Sequence, residues 1–497
     1  MSASHRCVAV DLGAESGRVV VGSFDGVRLH TEVVHRFANV PRQRDGHLRW
    51  DMQRLWDDVR TGLRSAGEQG VVDSVGVDTW GIDFGFLDGQ GRLLADPVSH
   101  RDGRTRHLVE LADKLVGHRL YHDTGTQIMH INSVFQLMAE TRNEGLPGEA
   151  RTLLMVPDIF HHLLSGSRVA EYTAVSTTGA YDMATRTWAV DLLEDLGVRT
   201  DLLPEVVDAG TDLGSLQPEL ADAPGLAATR VITPGSHDTA SAVAAVPFLD
   251  PHAGYISSGT WSLVGVERER PVINAAAETA NLTNEGGVAG TVRLLRNVMG
   301  LWILQECRRQ WEREGMTLSY PDLVQLAQDA PAHHAVVDVD HPAFVEPGDM
   351  PERIREFCRR SGQPVPSSVG EISRCVLEGL TLRYRYAFDQ IAKVTGTPVT
   401  AVHVVGGGSR NDVLNRATAA ATQLPVIAGP VEATAMGNLL VQLCSLGELG
   451  GLDDIRDVVR ATEPTRDIDP DPSAAARWDD AYARLHELIA VAPADLA

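Results

Sequence analysis

Short apolar runs rich in β-branched residues alternate along this chain with longer stretches whose apolar positions recur every three or four residues. That is the pattern of an α/β protein. Val8–Asp11 and Val19–Phe24 read as strands around Gly13-Ala14-Glu15-Ser16-Gly17, a strand–turn–strand. Val72–Val77 reads as a third strand, running into Asp78-Thr79-Trp80-Gly81. Leu153–Pro157 and Val231–Pro234 each run into a helix start. Near residue 250 the organisation begins again. Tyr255–Ser258 and Trp261–Val266 flank Gly259-Thr260 as a second strand–turn–strand, and Ala401–Val405 ends in Gly406-Gly407-Gly408. Helical spacing fills Leu301–Arg313 and Ile372–Thr395. Because each half opens with the same kind of hairpin, two related α/β domains are expected, 1–247 and 248–497, with a cleft between them.

Composition narrows the partners. The chain has 497 residues, a hydrophobic fraction of 43% and a net charge of −23, so it is long and apolar enough for more than one globular core. The acidic balance argues against nucleic acid, whose nonspecific binding needs basic charge, and against an anionic membrane surface. Lys114 and Lys393 are its two lysines, so phosphate chemistry here must work almost without lysine. The run after Met1–Arg6 is too short for a signal-peptide core. No apolar stretch approaches the ~18 residues of a membrane span. Five cysteines without CxxC spacing suit neither a disulfide framework nor zinc. A cytoplasmic protein is expected, a monomer or small homo-oligomer. Cys358 and Cys375 flank a Gly/Pro/Ser-rich loop across which they could approach each other; in a reducing compartment they are read as two separate reduced thiols.

Three glycine-containing turns are candidates for phosphate handling. No GxxxxGK[ST] motif is present. In the first hairpin, backbone N–H groups of Ala14 to Gly17 can form an anion nest. Ser16 adds a hydroxyl, Arg18 a bidentate cation, and Asp11 an acceptor for Mg²⁺, through water. In the second hairpin Gly259 permits close backbone approach, and Thr260 offers a hydroxyl and an N–H. Either hairpin alone is equally an ordinary β-turn; two of them, one per domain, shift the balance. The triple glycine at 406–408 fits a site where backbone passes close to a nucleotide at a helix N-terminus.

Pro234-Gly235-Ser236-His237-Asp238-Thr239-Ala240 follows a strand and opens a helix expected over 239–246. Ser236 and Asp238 are good N-caps. Asp238 is also the best candidate for a general base, ionised at neutral pH on its ordinary pKa of about 3.9. His237 reads as a satisfied structural histidine or a weaker candidate. Phosphoryl transfer has a loose transition state, so an aspartate accepting the attacking hydroxyl's proton, Mg²⁺ and glycine-rich backbone make a sufficient set. Trp80 and Gly81 between Asp78 and Asp83 offer an apolar face with acceptors, which suits a sugar. Asn297 suits a hydroxyl contact and Gln305 a phosphate or ribose, though each is equally a cap or surface amide.

The strings VAVDLGAESGR, GVDTWGIDFGFLD, HRDGRT, PDIFHHLLSG, EYTAVSTTG, GSHDTASAV, YISSGTWSLVG, NEGGVAGTVRLLRNVMGLWILQ, VVGGGSRN and AGPVEATAMGN together resemble the FGGY carbohydrate kinases. DTWGIDF, SHDTASAV, SSGTWSL and NVMGLW are similar to the members that phosphorylate L-rhamnulose. The resemblance implies two ribonuclease-H-like domains of the actin-like ATPase fold. It implies ATP and Mg²⁺ as cofactors and transfer of a phosphoryl group to the 1-hydroxyl of L-rhamnulose. Asp238 would be the base; Gly81, His237, Asp238, Thr239 and Asn297 would contact the ketose. Ala14, Glu15, Ser16, Gly17, Arg18, Thr260, Gln305 and Gly407 would hold ATP. Asp11 and Asp238 would place Mg²⁺ through water. Glu15 and His100 depart from the residues some members carry, a serine and a tyrosine. The alternatives are a sibling kinase for L-fuculose, xylulose or another ketose, or an actin-like nucleotide switch.

Overall fold

The computed structural model describes residues 5–144, 146 and 148–491. It divides into two compact units. Unit 1 comprises Met1–Pro247, Glu267–Leu294 and Glu432–Glu463; unit 2 comprises Phe248–Val266, Leu295–Val431 and Pro464–Ala497. This differs from the expected 1–247 and 248–497 in two segments that pack with unit 1 from later in the chain.

Unit 1 is built on a mixed sheet of six strands. They are β1 (His5–Leu12), β2 (Ser16–Phe24), β3 (Leu29–Ala38), β4 (Ser74–Thr79), β5 (Asp212–Ser215) and β6 (Arg230–Ile232), in the order β5-β6-β4-β1-β2-β3. β1 pairs antiparallel with β2 and parallel with β4; β4 is parallel to β6, which is antiparallel to β5. Side chains alternate across the sheet. Val8, Val10 and Leu12 with Val75 and Val77 face one way, into a core completed by Leu55, Val59 and Leu63 of helix Met52–Glu68. That helix starts where the Asp51 carboxylate accepts from the Arg54 N–H at 3.2 Å.

The opposite face carries Ser74, Gly76 and Asp78, and helix Ala433–Ser445 lies against it. Ser74 Oγ donates to Gln442 Oε1 at 2.7 Å, and Asn438 Nδ2 donates to Asp78 Oδ2 at 2.5 Å. Close packing needs the missing side chains here. A Cβ at Gly76 would meet Asn438 and Gln442 at 3.0 Å, and one at Gly437 would lie 1.8 Å from the Ser241 carbonyl oxygen of helix Asp238–Ala244.

Unit 2 repeats the plan. Its strands β7 (Gly254–Ser258), β8 (Trp261–Arg268), β9 (Val292–Met299), β10 (Val402–Val405), β11 (Val426–Ala428) and β12 (Arg466–Ile468) run in the order β9-β8-β7-β10-β11-β12. β7 is antiparallel to β8 and parallel to β10, β10 is parallel to β11, and β11 is antiparallel to β12. The pairing directions agree with those of unit 1 at each of these pairs, but the last two strands come in the opposite chain order, and a seventh strand, Thr283–Gly286, lies beyond β9. The long helix Val369–Thr395 opens on a capping box of Ser368 and Glu371 and closes on Gly396 at φ 68°.

Candidate active site

In unit 1 the turn Gly13–Glu15 joins β1 to β2. It is tied by Gly13 N–H to the Ser16 carbonyl at 2.9 Å and clamped from outside by Asn39. The Asn39 N–H donates to the Glu15 carbonyl and its side-chain amide to the Gly13 carbonyl, both at 2.9 Å. Asn39 is a residue the sequence reading missed. Ala14 and Glu15 are half-buried, Ser16 is exposed, and Gly17 packs under Phe37. β-sheet register sets Asp11 opposite both Arg18 on β2 and Asp78 on β4.

Arg18 already has partners within the protein. Its Nε and Nη2 donate to Asp11 Oδ2 at 2.9 and 2.6 Å, and its Nη1 donates to Glu432. Two carboxylates flank the cation, so the guanidinium is neutralised within the protein, and a phosphate would have to compete for it. Glu432 stands just before helix Ala433–Ser445 and carried no sequence signal beyond its place in AGPVEATAMGN.

Asp78 is fully buried, and its Oδ1 has no hydrogen-bond partner. Burial, then the negative charge of Asp11, pushes its carboxyl well above the usual range. Asp83 is equally buried but saturated. Its Oδ2 accepts from the Trp50 and Trp80 indoles at 2.7 and 2.9 Å and lies 2.9 Å from His100 Nδ1, while Oδ1 accepts from Gln136 at 3.1 Å. Burial alone would raise this carboxyl; His100 and then the indole and amide donors outweigh that and leave it lowered. This bears on the expectation that the two aspartates offer acceptors to a sugar. Both lie in the core, and the Asp83 oxygens are spent on holding the tryptophans.

The strand end and the 236–238 loop meet directly. The Thr79 N–H donates to the Ser236 carbonyl at 2.9 Å, in a parallel bridge of Thr79 with His237. Gly81, two residues on, packs where a Cβ would strike Thr177 Oγ1 at 2.8 Å. The loop is gripped from below by Glu171. Its Oε2 accepts from Ser236 N–H at 3.2 Å and from Thr173 Oγ1 at 2.6 Å; Thr173 Oγ1 in turn accepts from His237 N–H at 3.0 Å. Burial pushes the Glu171 carboxyl up to about 8. Glu171 also went unread in the sequence, where its signal is a glutamate at the cap of the short helix Tyr172–Val175.

Asp238 is the first residue of helix Asp238–Ala244, and His237 holds the cap position without a side-chain cap bond. The N-cap role expected of Ser236 or Asp238 is therefore not realised, because the helix begins one residue earlier than the apolar pattern indicated. This frees the carboxylate. Its Oδ1 accepts from Thr239 Oγ1 at 3.1 Å and stands 3.5 Å from His237 Nε2, with 30% of the side chain exposed. Crowding by surrounding protein raises its pKa, His237 opposes the shift and Asp11 adds to it. Asp238 is thus a stronger base than its ordinary value implies.

In unit 2 the turn Gly259-Thr260 joins β7 to β8. Helix Trp302–Arg313 seats it, with Leu301 N–H on the Gly259 carbonyl and Trp302 N–H on the Thr260 carbonyl, both at 3.1 Å. Gln305 Nε2 reaches Thr260 Oγ1 at 3.5 Å. Below the turn, Ser262 Oγ and Tyr384 Oη lie 2.7 Å apart. The glycine run forms a 3₁₀ turn, Gly407–Arg410, before helix Asp412–Thr422, which Asn411 caps. Gly406 takes φ 80°, and a Cβ at Gly408 would lie 2.0 Å from Ser258 Oγ. Gly407 is exposed with open space where a side chain would be. Asn297 lies on β9, half-buried. Of the residues read from the sequence, Asp11, Arg18, Gly81, His237, Asp238 and Thr239 thus belong to unit 1, and Thr260, Gln305, Asn297 and Gly407 to unit 2.

Two mixed sheets with matching pairing directions, each with a small-residue turn between its first two strands, are those of the actin-like ATPase fold. The model of the FGGY family of carbohydrate kinases, N-terminal domain, matches residues 6–245, and that of its C-terminal domain matches residues 254–446. The chain belongs to the FGGY family of carbohydrate kinases. It is 42% identical over 477 residues to a rhamnulokinase from Bacteroides thetaiotaomicron, covering 95% of this chain and 97% of that one. It is 39% identical to a rhamnulokinase from Enterococcus faecalis, covering 94% of each. Among solved structures, a gluconate kinase from Lactobacillus acidophilus superposes with TM-score 0.81 at 16% identity over the whole of both chains. A xylulose kinase from the same organism gives 0.81 at 16% identity, over 99% of this chain and all of that one. No helix among the described residues is long and apolar enough to cross a membrane.

Proposed function

We propose that this kinase transfers the γ-phosphoryl group of ATP to the 1-hydroxyl of L-rhamnulose, giving L-rhamnulose 1-phosphate and ADP. The relatives named rhamnulokinase, alike over nearly the full length, support the substrate. The observation that carries the chemistry is Asp238. It is an uncapped, partly open carboxylate of raised pKa on a loop fixed by Glu171, Thr173 and Thr79. In this reading Asp238 accepts the proton as the sugar oxygen attacks phosphorus. Gly81, His237, Thr239 and Asn297 orient the ketose. The backbone of Ala14 to Gly17, with Arg18, Thr260, Gln305 and Gly407, carries the nucleotide.

The donor set fits Mg²⁺ in an outer-shell role. Asp78 Oδ1 lacks a hydrogen-bond partner, and Asp11 and Asp238 lie near enough to perturb neighbouring carboxyls. Asp11 and Asp238 would hold the ion through water. When bound, the ion neutralises charge on the phosphates. The partners are then MgATP and the ketose, with no role for nucleic acid or membrane, in the cytoplasm where ATP is made available.

A coupled ADP-release assay across a ketose panel tests the substrate. L-rhamnulose is expected to give the highest kcat/KM; L-fuculose or xylulose ahead of it would overturn the substrate, and sugar-independent ATP turnover would overturn the kinase reading. Asp238→Asn should retain ATP binding and lose about 10²–10⁴-fold in kcat, the scale of a general base.

A further inference from the structure

We propose that Arg293, with Glu285 as its counter-ion, is a positioning residue. Its guanidinium donates to His237 Nδ1, and so turns the other ring nitrogen, Nε2, as a hydrogen-bond donor toward the Asp238 carboxylate and the sugar beside it. The first step stands on geometry alone. Arg293 is 0% exposed. Its Nε donates to the Gly286 carbonyl at 2.8 Å, and its Nη2 lies 3.1 Å from His237 Nδ1 and 3.2 Å from Glu285 Oε2. A guanidinium has donors and no acceptor. Were Nδ1 protonated, two N–H groups would face each other at 3.1 Å in a dry site. Nδ1 therefore accepts, and the ring proton resides on Nε2, the nitrogen 3.5 Å from Asp238 Oδ1. Glu285 Oε2, 3.4 Å from Nδ1, balances the buried cation.

A purely structural role does not account for this arginine. Its Nη1 is buried without a hydrogen-bond partner, an expense a packing residue would avoid. The guanidinium is spent instead on fixing the ring next to the base. The Asp238 assignment underlies the catalytic half of the proposal; the tautomer does not depend on it.

Ring-¹⁵N histidine labelling of the full chain reads the tautomer, with His237→Gln assigning the resonance. The wild type is expected to show a protonated Nε2 and a bare Nδ1. Arg293→Met is expected to lose that preference and about 10–100-fold in kcat, the scale of groups that orient a ligand's partner, with KM for ATP unchanged. Millimolar guanidinium added to Arg293→Ala should restore part of kcat. A protonated Nδ1 in the wild type overturns the proposal even if neither variant folds. So does an Arg293→Met protein that keeps the wild-type tautomer. Normal turnover by Asp238→Asn would overturn the base while leaving the tautomer result standing.

Discussion

Gly408→Ala is a small change at which the nucleotide side of the proposed mechanism can be made to fail. The new methyl would lie 2.0 Å from Ser258 Oγ and 2.4 Å from Ser258 Cβ. A carbon–oxygen contact needs roughly 3.3 Å, so the 3₁₀ turn and the end of β7 must separate by about 1.3 Å. Ser258 cannot swing clear, since its Cβ is itself in the way. Forced separation of this kind costs about 1–3 kcal/mol of stability. A misplacement of about 1 Å can cost about 10²-fold in rate. If Gly407 and Thr260 hold ATP, kcat/KM for ATP should fall by about two orders of magnitude, while KM for the ketose stays near wild type. Steady-state kinetics with each substrate varied in turn measures this, and calorimetry gives the stability. Ser258→Gly removes both colliding atoms, so Gly408→Ala combined with it should recover most of the lost rate. A Gly408→Ala enzyme that has lost stability but keeps its ATP kinetics would refute the placing of the nucleotide on this turn.

Other expectations follow from single contacts. The raised pKa of Asp238 places the acid limb of kcat above the ordinary carboxylate value of 3.8, with rate lost as pH falls through it; a pH–rate profile that follows an unshifted carboxylate would speak against the base. Glu171 binds a proton in the folded state that it releases on unfolding between its ordinary 4.5 and about 8. Stability should therefore fall as pH rises through that window, and urea titrations should show a flatter fall in Glu171→Gln. Asp338 accepts two hydrogen bonds from buried Arg383. Asp338→Ala removes both of these hydrogen bonds and leaves the cation only Asp340 Oδ2 at 3.6 Å, and should cost about 1–3 kcal/mol in denaturant unfolding. Gly437→Ala, whose methyl would lie 1.8 Å from the Ser241 carbonyl, should lower Tm by pushing apart the two helices behind Asp238.

Strands and long helices were legible because period-two and period-3.6 apolar patterns are local properties of the chain. The doubled hairpin, the glycine turns and Asp238 could be read for the same reason. What stayed hidden depends on partners far apart in sequence. Nothing local shows that Glu432 reaches Arg18, or that Asp83 gives its oxygens to Trp50, Trp80 and His100. Glu171 and Arg293 looked like any glutamate and arginine until folding brought both to the 236–238 loop. The helix start at Asp238 was missed by one residue, and that single step turned an anticipated cap into a free base.

The Cys358 and Cys375 thiols are both buried and neither is in a disulfide; the neighbouring Cys358 thiol and burial push the Cys375 thiol well up.

The interleaving of the chain has a consequence for how the protein is made. The face of the first sheet that carries Asp78 is closed by Asn438 and Gln442, which emerge from the ribosome long after Ser74 does. Until then a polar strand and the glycine slot at Gly76 lie open to solvent, and the half bearing Asp238 cannot finish folding. A fragment ending at Pro247, although it contains the proposed base Asp238, would be born without its lid. Nascent chains arrested before residue 446 should remain sensitive to protease in both halves, and the enzyme should acquire its two folded halves almost together, late in synthesis.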